Sequence, residues 1–213
     1  MNHQDFIARQ KHIQLDGIAP LPVTVAYTDV GTGPPLLLMH GIPTWSYLYH
    51  QVIDRLAKTH RVIAPDFVGH GSSDKRDGLD RSLLAQRDMI LAFMDALSLR
   101  TATLVGHDTG GGVALIMGVE NGNRIDRLVL SNIVAYDSWP IDDMIQVGHP
   151  GWAKKSNEDI REFLVGGFDD GLSRKAQLTP EFVNGIVAPY VTDEGKISLI
   201  RNASSLNTNH TTM

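Results

Sequence analysis

The stretch Val105-Gly106-His107-Asp108-Thr109-Gly110-Gly111 decides the fold of this 213-residue chain. A strand pattern, Ala102–Val105, leads into it, and a helical pattern, Gly111–Val119, continues from it. Glycines on both sides of Asp108 indicate a tight turn from strand to helix, because larger side chains would collide beside a strained central residue. Such a turn places the Asp108 carboxylate above the sheet, near the positive end of the following helix.

The first 135 residues alternate between strand patterns and helix patterns. The strand patterns cover His12–Leu15, Val23–Thr28, Leu36–Met39, Arg61–Ala64, Ala102–Val105 and Leu128–Leu130. Helical spacing covers Trp45–Leu56 with Thr44 as its cap, then a stretch that starts at Asp80 or Ser82 and reaches Leu97, then Gly111–Val119. This alternation predicts the α/β class, with a mostly parallel sheet flanked by helices.

The pattern changes near Tyr136. The remaining residues have helical spacing interrupted by Pro140, Pro150, Pro180 and Pro189, and no clear strand. We therefore predict a core over residues 1–135 and a helical segment over residues 136–213.

Composition excludes several functional classes. An apolar fraction of 42% with 20% charged residues is typical of a globular protein, and the net charge of -5 offers no basic surface for nucleic acid or an anionic membrane. The absence of cysteine excludes a thiol nucleophile and thiolate metal sites. No metal-binding spacing or dinucleotide loop occurs, so we expect no cofactor. Without an apolar leader or spanning segment, a cytoplasmic protein is expected.

Two further segments frame the Asp108 turn. His40-Gly41-Ile42-Pro43 follows a buried strand, and Pro65–Asp74 forms the loop after the next strand. In a turn of this type, the backbone N–H groups of Ile42 and Thr109 would form an oxyanion hole.

Together, these three segments resemble the α/β-hydrolase superfamily. Aspartate at the centre of the turn resembles the branch that contains haloalkane dehalogenases and epoxide hydrolases, and the stretches His40–Tyr49 and Ala64–Phe67 are similar to haloalkane dehalogenases. The resemblance implies an α/β-hydrolase fold with a helical cap. It also implies a cofactor-free hydrolase in which Asp108 attacks a small apolar substrate, an alkyl halide or related electrophile, through a covalent ester. An epoxide hydrolase is the alternative, with Tyr190 as the candidate that assists ring opening.

Aromatic residues are candidates for the wall of the substrate pocket. These are Trp45, Trp139, Trp152 and Tyr190, for which packing in the protein interior is the competing interpretation.

The sequence also departs from the family pattern. Thr109 stands where dehalogenases usually have a tryptophan, and Ile42 stands where some have an asparagine, so we expect a pocket poor in anion-binding groups. Asn132 falls on a position where the family can carry its acid. The downstream histidines, His149 and His210, do not fall where the family carries its base.

These departures predict a truncated form of a longer hydrolase, with the last core strands absent. A ligand-binding protein without catalysis, or an inactive fragment, is the alternative. A sheet that ends early exposes a strand edge, which predicts poor solubility or a homodimer.

Overall fold

The computed structural model describes residues 1–136, 139–174 and 177–206. Its centre is a six-stranded sheet in the order β1-β2-β4-β3-β5-β6. The strands are β1 (Lys11–Leu15), β2 (Val23–Val30), β3 (Pro35–Met39), β4 (Arg61–Pro65), β5 (Ala102–Asp108) and β6 (Ile125–Ile133). Strand β2 pairs antiparallel with β1 and β4, whereas the pairs β3–β4, β3–β5 and β5–β6 are parallel. The predicted α/β class and mostly parallel sheet are confirmed.

Eight α-helices accompany the sheet in the part of the chain that the structure describes. They are α1 (His3–Arg9), α2 (Ile53–Leu56), α3 (Leu83–Ala96), α4 (Thr109–Glu120), α5 (Asp142–Val147), α6 (Asn157–Gly171), α7 (Pro180–Val187) and α8 (Asp193–Ser204). After β6, all the described secondary structure is helical. The division into a core and a cap at residue 135 stays a prediction about domain organisation. None of the described helices is both long enough and apolar enough to cross a membrane.

Two apolar clusters cover the two faces of the sheet. The first packs Leu37, Met39 and Ile63 against helices α3 and α4. The second packs Leu36 and Leu38 against a layer that includes residues of α6, α7 and α8. The run Leu36-Leu-Leu-Met39 is therefore buried on both faces, as a continuous apolar strand requires.

The predicted helix over Trp45–Leu56 is wrong. Trp45 is extended, a short 3-10 helix covers Ser46–Tyr49, and α2 begins only at Ile53. The Asp66 carboxylate, at the end of β4, accepts the Ser46 N–H at 2.9 Å and so supplies the cap expected from Thr44. The Thr44 hydroxyl instead donates to the Gly41 carbonyl at 2.8 Å. Ser82, by contrast, caps α3 as predicted, because its hydroxyl accepts the Ala85 N–H.

Strand β6 lies at the edge of the sheet. Its apolar residues Leu128, Val129 and Leu130 are 38%, 48% and 40% exposed. Strands of a parallel sheet are ordinarily covered on both faces, but within the described residues β6 pairs with β5 alone and presents an apolar surface beside its free edge.

Candidate active site

Asp108 lies at the joint between β5 and α4. The strand runs to Asp108 and the helix begins at Thr109, so no linker separates them. The backbone of Asp108 has φ 53° and ψ -123°, a conformation that costs non-glycine residues about 1–3 kcal/mol and is concentrated at functional sites. The tight turn predicted from the flanking glycines is present.

Three glycines make this turn sterically feasible. A Cβ atom at Gly106 would lie 2.6 Å from the Gly111 Cα, and one at Gly110 would collide with the main chain of Met39 and His40. A Cβ at Gly41 would overlap the Asp108 side chain itself. The end of β3 and the start of α4 therefore approach each other as closely as their backbones allow, with the Asp108 carboxylate against Gly41.

Hydrogen-bond donors from two loops converge on this carboxylate. The Ile42 N–H donates to Asp108 Oδ1 at 2.8 Å, and the backbone N–H and hydroxyl of Thr109 also donate to the carboxylate. Burial raises the pKa of Asp108 above the ordinary aspartate value, and these hydrogen bonds oppose the rise. The structure thus brings together the predicted nucleophile and both residues predicted for the oxyanion hole.

His40 holds the loop that carries Ile42. Its Nε2 accepts the Phe67 N–H at 3.0 Å, so Nδ1 carries the proton and donates to the Gly41 carbonyl at 3.0 Å. Burial lowers the pKa of His40 to about 4, which keeps the ring neutral near pH 7. His40 is therefore a positioning residue.

A narrow cavity opens beside the two backbone donors. Its wall consists of Ile42, Phe67, His70, Arg81, Leu83, Gln86, Thr109, Val113, Asn202 and Leu206. Arg81 is the charged residue of this wall, and its NH1 and NH2 groups are bonded to neighbouring protein atoms, so a pocket poor in anion-binding groups stays a prediction. Asn202 of α8 and Leu206, which follows α8, complete the wall, so the helical segment contributes to the cavity.

The four aromatic candidates are not among the side chains that line this cavity. Trp45 is fully buried and donates to the Gly185 carbonyl at 3.0 Å, and the Tyr190 hydroxyl donates to the Thr44 carbonyl at 3.0 Å. Trp152 packs edge-on against Phe163, and Trp139 packs against both apolar clusters. Trp45 and Tyr190 are fully buried, whereas Trp139 and Trp152 are partly buried.

Neither His149 nor Asn132 is among the residues that line this cavity. His149 is exposed, and its Nδ1 accepts the Gly151 N–H, whereas His210 lies outside the described residues. Asn132 is exposed at an irregularity of β6, with φ 47°. Among described residues the cavity wall holds one histidine, His70, whose Nδ1 donates to the Val68 carbonyl while its Nε2 accepts from the Asn202 amide. Burial holds the pKa of His70 well below its usual range.

No group of three or more histidine, aspartate or glutamate side chains is placed to hold a metal ion within residues 1–136, 139–174 and 177–206.

Comparison with known proteins identifies the family. The family model described as alpha/beta hydrolase fold matches residues 34–166, which include the Asp108 turn and both neighbouring loops. The chain belongs to the alpha/beta hydrolase family. A crystal structure of an alpha/beta hydrolase fold protein from Burkholderia ambifaria superposes with a TM-score of 0.85 at 23% identity, covering 95% of this chain and 73% of that one.

Two relatives of this alpha/beta hydrolase carry activity names. Haloalkane dehalogenase 2 of Mycobacterium tuberculosis is 38% identical over 120 residues, which are 56% of this chain and 41% of the relative. The structure of the epoxide hydrolase CorEH has a TM-score of 0.75 at 25% identity and covers 92% of this chain and 73% of that one. The chain thus matches about two fifths of the length of the curated relative.

Sequence reasoning missed Arg81, Gln86 and Asn202 as cavity residues. Arg81 comes directly before the cap of α3, where a charged residue ordinarily faces solvent. Asn202 lies in a helix 121 residues downstream of Arg81, and no local pattern reports a contact at that separation.

Proposed function

We propose that this alpha/beta hydrolase acts on small alkyl halides and that Asp108 is its nucleophile. The observation that carries the proposal is the position of the carboxylate. It lies on a strained turn, is held by the N–H groups of Ile42 and Thr109, and adjoins a cavity that these two residues line. The similarity to haloalkane dehalogenase 2 supports the halide as the leaving group.

In the first step, one carboxylate oxygen of Asp108 attacks the carbon that bears the halogen. The carbon–halogen bond breaks, the halide leaves with the electron pair, and an alkyl ester of Asp108 forms. The hydrogen bond from Ile42 fixes the orientation of the carboxylate, and such positioning of a reacting group favours attack.

In the second step, water attacks the carbonyl carbon of the ester. The N–H groups of Ile42 and Thr109 then stabilise the oxyanion, and each such donor typically contributes about 3 kcal/mol to the transition state. The alcohol leaves, the proton from water goes to a base, and the carboxylate is regenerated. Because both ring nitrogens of His70 are engaged, the described cavity offers no histidine for this step, and we expect the ester to accumulate in this chain.

Intact-mass spectrometry after incubation with propyl bromide tests the proposal. The wild type should gain one propyl group, and Asp108→Asn should gain none while its circular dichroism spectrum is unchanged. Asp143→Asn is the matched control, because Asp143 is an exposed carboxylate in the first turn of α5 and its loss should leave alkylation unchanged. Equal alkylation of the Asp108→Asn protein would overturn the proposal.

An epoxide hydrolase is the second candidate, supported by the similarity to CorEH. The tyrosine proposed for ring opening argues against it, because the Tyr190 hydroxyl is buried and donates to the Thr44 carbonyl. Propylene oxide in the same assay separates the two, since opening of the ring would leave a hydroxypropyl ester on Asp108. If neither reagent alkylates Asp108 and a small apolar ligand still binds reversibly, a binding protein without catalysis replaces both.

A further inference from the structure

Arg81 is buried on the wall of the cavity that Ile42 and Thr109 share. The whole residue is 3% exposed, and it lies one residue before Ser82, the cap of α3. A guanidinium carries its charge at any physiological pH, so its surroundings must satisfy both five donors and one positive charge.

Four of the five donors have partners, all of them neutral. The NH1 group donates to the carbonyl and hydroxyl of Ser198, both at 2.8 Å, and to Asn202 Oδ1 at 3.0 Å. The NH2 group donates to the carbonyls of Lys75 at 2.8 Å and Arg76 at 3.2 Å. Arg81 Nε is buried and has no hydrogen-bond partner among the described residues. A buried donor without a partner is costly, so this N–H has the capacity for one further hydrogen bond.

The positive charge is not neutralised by a carboxylate of its own. Asp74 and Asp77 act on Arg81 from a distance, but Asp74 forms an ion pair with Arg76 at 2.6 Å and Asp77 forms one with Arg201 at 2.5 Å. No described carboxylate forms an ion pair with Arg81 itself.

A second cation lies close to Arg81. The Lys75 amino group donates to the carbonyls of Gly71 and Ser73, and a nearby buried carboxylate, Asp66, acts on it electrostatically. The Asp66 oxygens are occupied by the N–H groups of Ser46 and Ser72 and by the Gln10 amide. Two cations, Arg81 and Lys75, thus lie close together without an ion pair of their own among the described residues, and buried cations of this kind are stabilised by an anion.

We propose that Arg81 forms an anion subsite of the cavity, which binds either the carboxylate of a small haloalkanoate substrate or the halide that leaves it. This inference rests on the proposed function, since it names the substrate class for the same cavity. An anionic substrate would be repelled by the Asp108 carboxylate, and a guanidinium on the shared wall offsets that repulsion. The free Nε–H provides a hydrogen bond that a neutral haloalkane leaves unused.

Binding is tested first, without any chemistry. Acetate should raise the thermal unfolding midpoint of the wild type in a saturable manner, whereas the isosteric neutral acetamide should not. The Arg81→Gln protein should lose the response to acetate. Arg201→Gln, which removes one exposed positive charge from the neighbouring helix α8, should keep it. If Arg81→Gln does not fold, the same acetate and acetamide titrations are compared between the wild type and Arg81→Lys. Lysine keeps the positive charge but lacks the planar set of N–H donors of a guanidinium.

Alkylation then distinguishes the two sources of the anion. For the carboxylate source, the rate of Asp108 alkylation by bromoacetate relative to bromoacetamide should fall about tenfold or more from wild type to Arg81→Gln, as expected for one charged hydrogen bond. For the halide source, that ratio stays constant, and added bromide slows alkylation by propyl bromide in the wild type but not in Arg81→Gln.

The two proposals fail in different ways. If no reagent alkylates Asp108 while acetate still binds through Arg81, the nucleophile fails and the anion subsite stands. If propyl bromide alkylates Asp108 while neither acetate nor bromide binds and the reagent ratio is unaffected by Arg81→Gln, the subsite is overturned and Arg81 only connects α8 to the loop at Lys75 and Arg76.

Discussion

A single methyl group at Gly110 tests whether close backbone packing builds the Asp108 turn. The Cβ of Gly110→Ala would lie 2.6 Å from the Met39 carbonyl carbon and would also collide with the His40 carbonyl. Both neighbours are main chain at the end of β3, so relief requires movement of the strand that leads to Ile42. Gly166, in the interior of α6, is the matched control, because a Cβ there meets no described atom within 4 Å.

The two substitutions should have opposite effects on the free energy of unfolding. Replacing a helical glycine by alanine gains about 1 kcal/mol in helix preference at either site. Overpacking against rigid backbone costs about 3 kcal/mol, at the upper end of its usual range. We therefore expect Gly110→Ala to lower the free energy of unfolding by about 2 kcal/mol and Gly166→Ala to raise it by up to about 1 kcal/mol.

Urea unfolding followed by far-UV circular dichroism measures both values. The slopes of the two transitions should match the wild type, so that differences in midpoint report stability alone. A Gly110→Ala protein as stable as the wild type would refute the argument that the glycine is required by the approach of β3 to α4.

The Asp108 carboxyl, the start of α6 and strand β6 each have a property that can be measured. Burial raises the pKa of Asp108, and only the ionised carboxylate attacks. The rate of Asp108 alkylation should therefore rise with pH, with a midpoint above the ordinary aspartate pKa of about 4. A midpoint at or below that pKa would contradict the account. Ser156→Ala should lower the free energy of unfolding by about 1 kcal/mol, because Ser156 forms a capping box with Asp159 at the start of α6, and urea unfolding with no change would show that this cap is dispensable. The apolar edge strand β6 should cause concentration-dependent self-association in sedimentation velocity, which Val129→Lys should reduce; a wild type that stays monomeric at all concentrations would remove β6 as an interface.

The parts of the fold that sequence predicted correctly are governed by local chemistry. The run Leu36-Leu-Leu-Met39 is apolar on both faces and becomes a central strand, and the glycines around Asp108 report a turn that only small residues allow. Ser82 caps α3 through an N–H three residues away. Each of these signals lies within a few residues of the feature that it predicts.

The parts that sequence missed depend on contacts between distant residues. The helix predicted from Trp45 begins instead as a short 3-10 helix at Ser46, whose N–H donates to Asp66, 20 residues away in sequence. Arg81 reaches the cavity wall because its donors bind Ser198 and Asn202, which lie 117 and 121 residues downstream. Helical spacing contains no information on either contact, so the place of Arg81 on the cavity wall is visible only in the tertiary structure.

The central claim is that Asp108 is the nucleophile, and peptide mapping of the alkylated protein tests it most directly. After incubation with propyl bromide and proteolysis, tandem mass spectrometry should locate the propyl group on the Asp108 side chain, within the peptide that contains the β5–α4 turn. An adduct located instead on a histidine, a methionine or an exposed carboxylate, with Asp108 unmodified, would contradict the account.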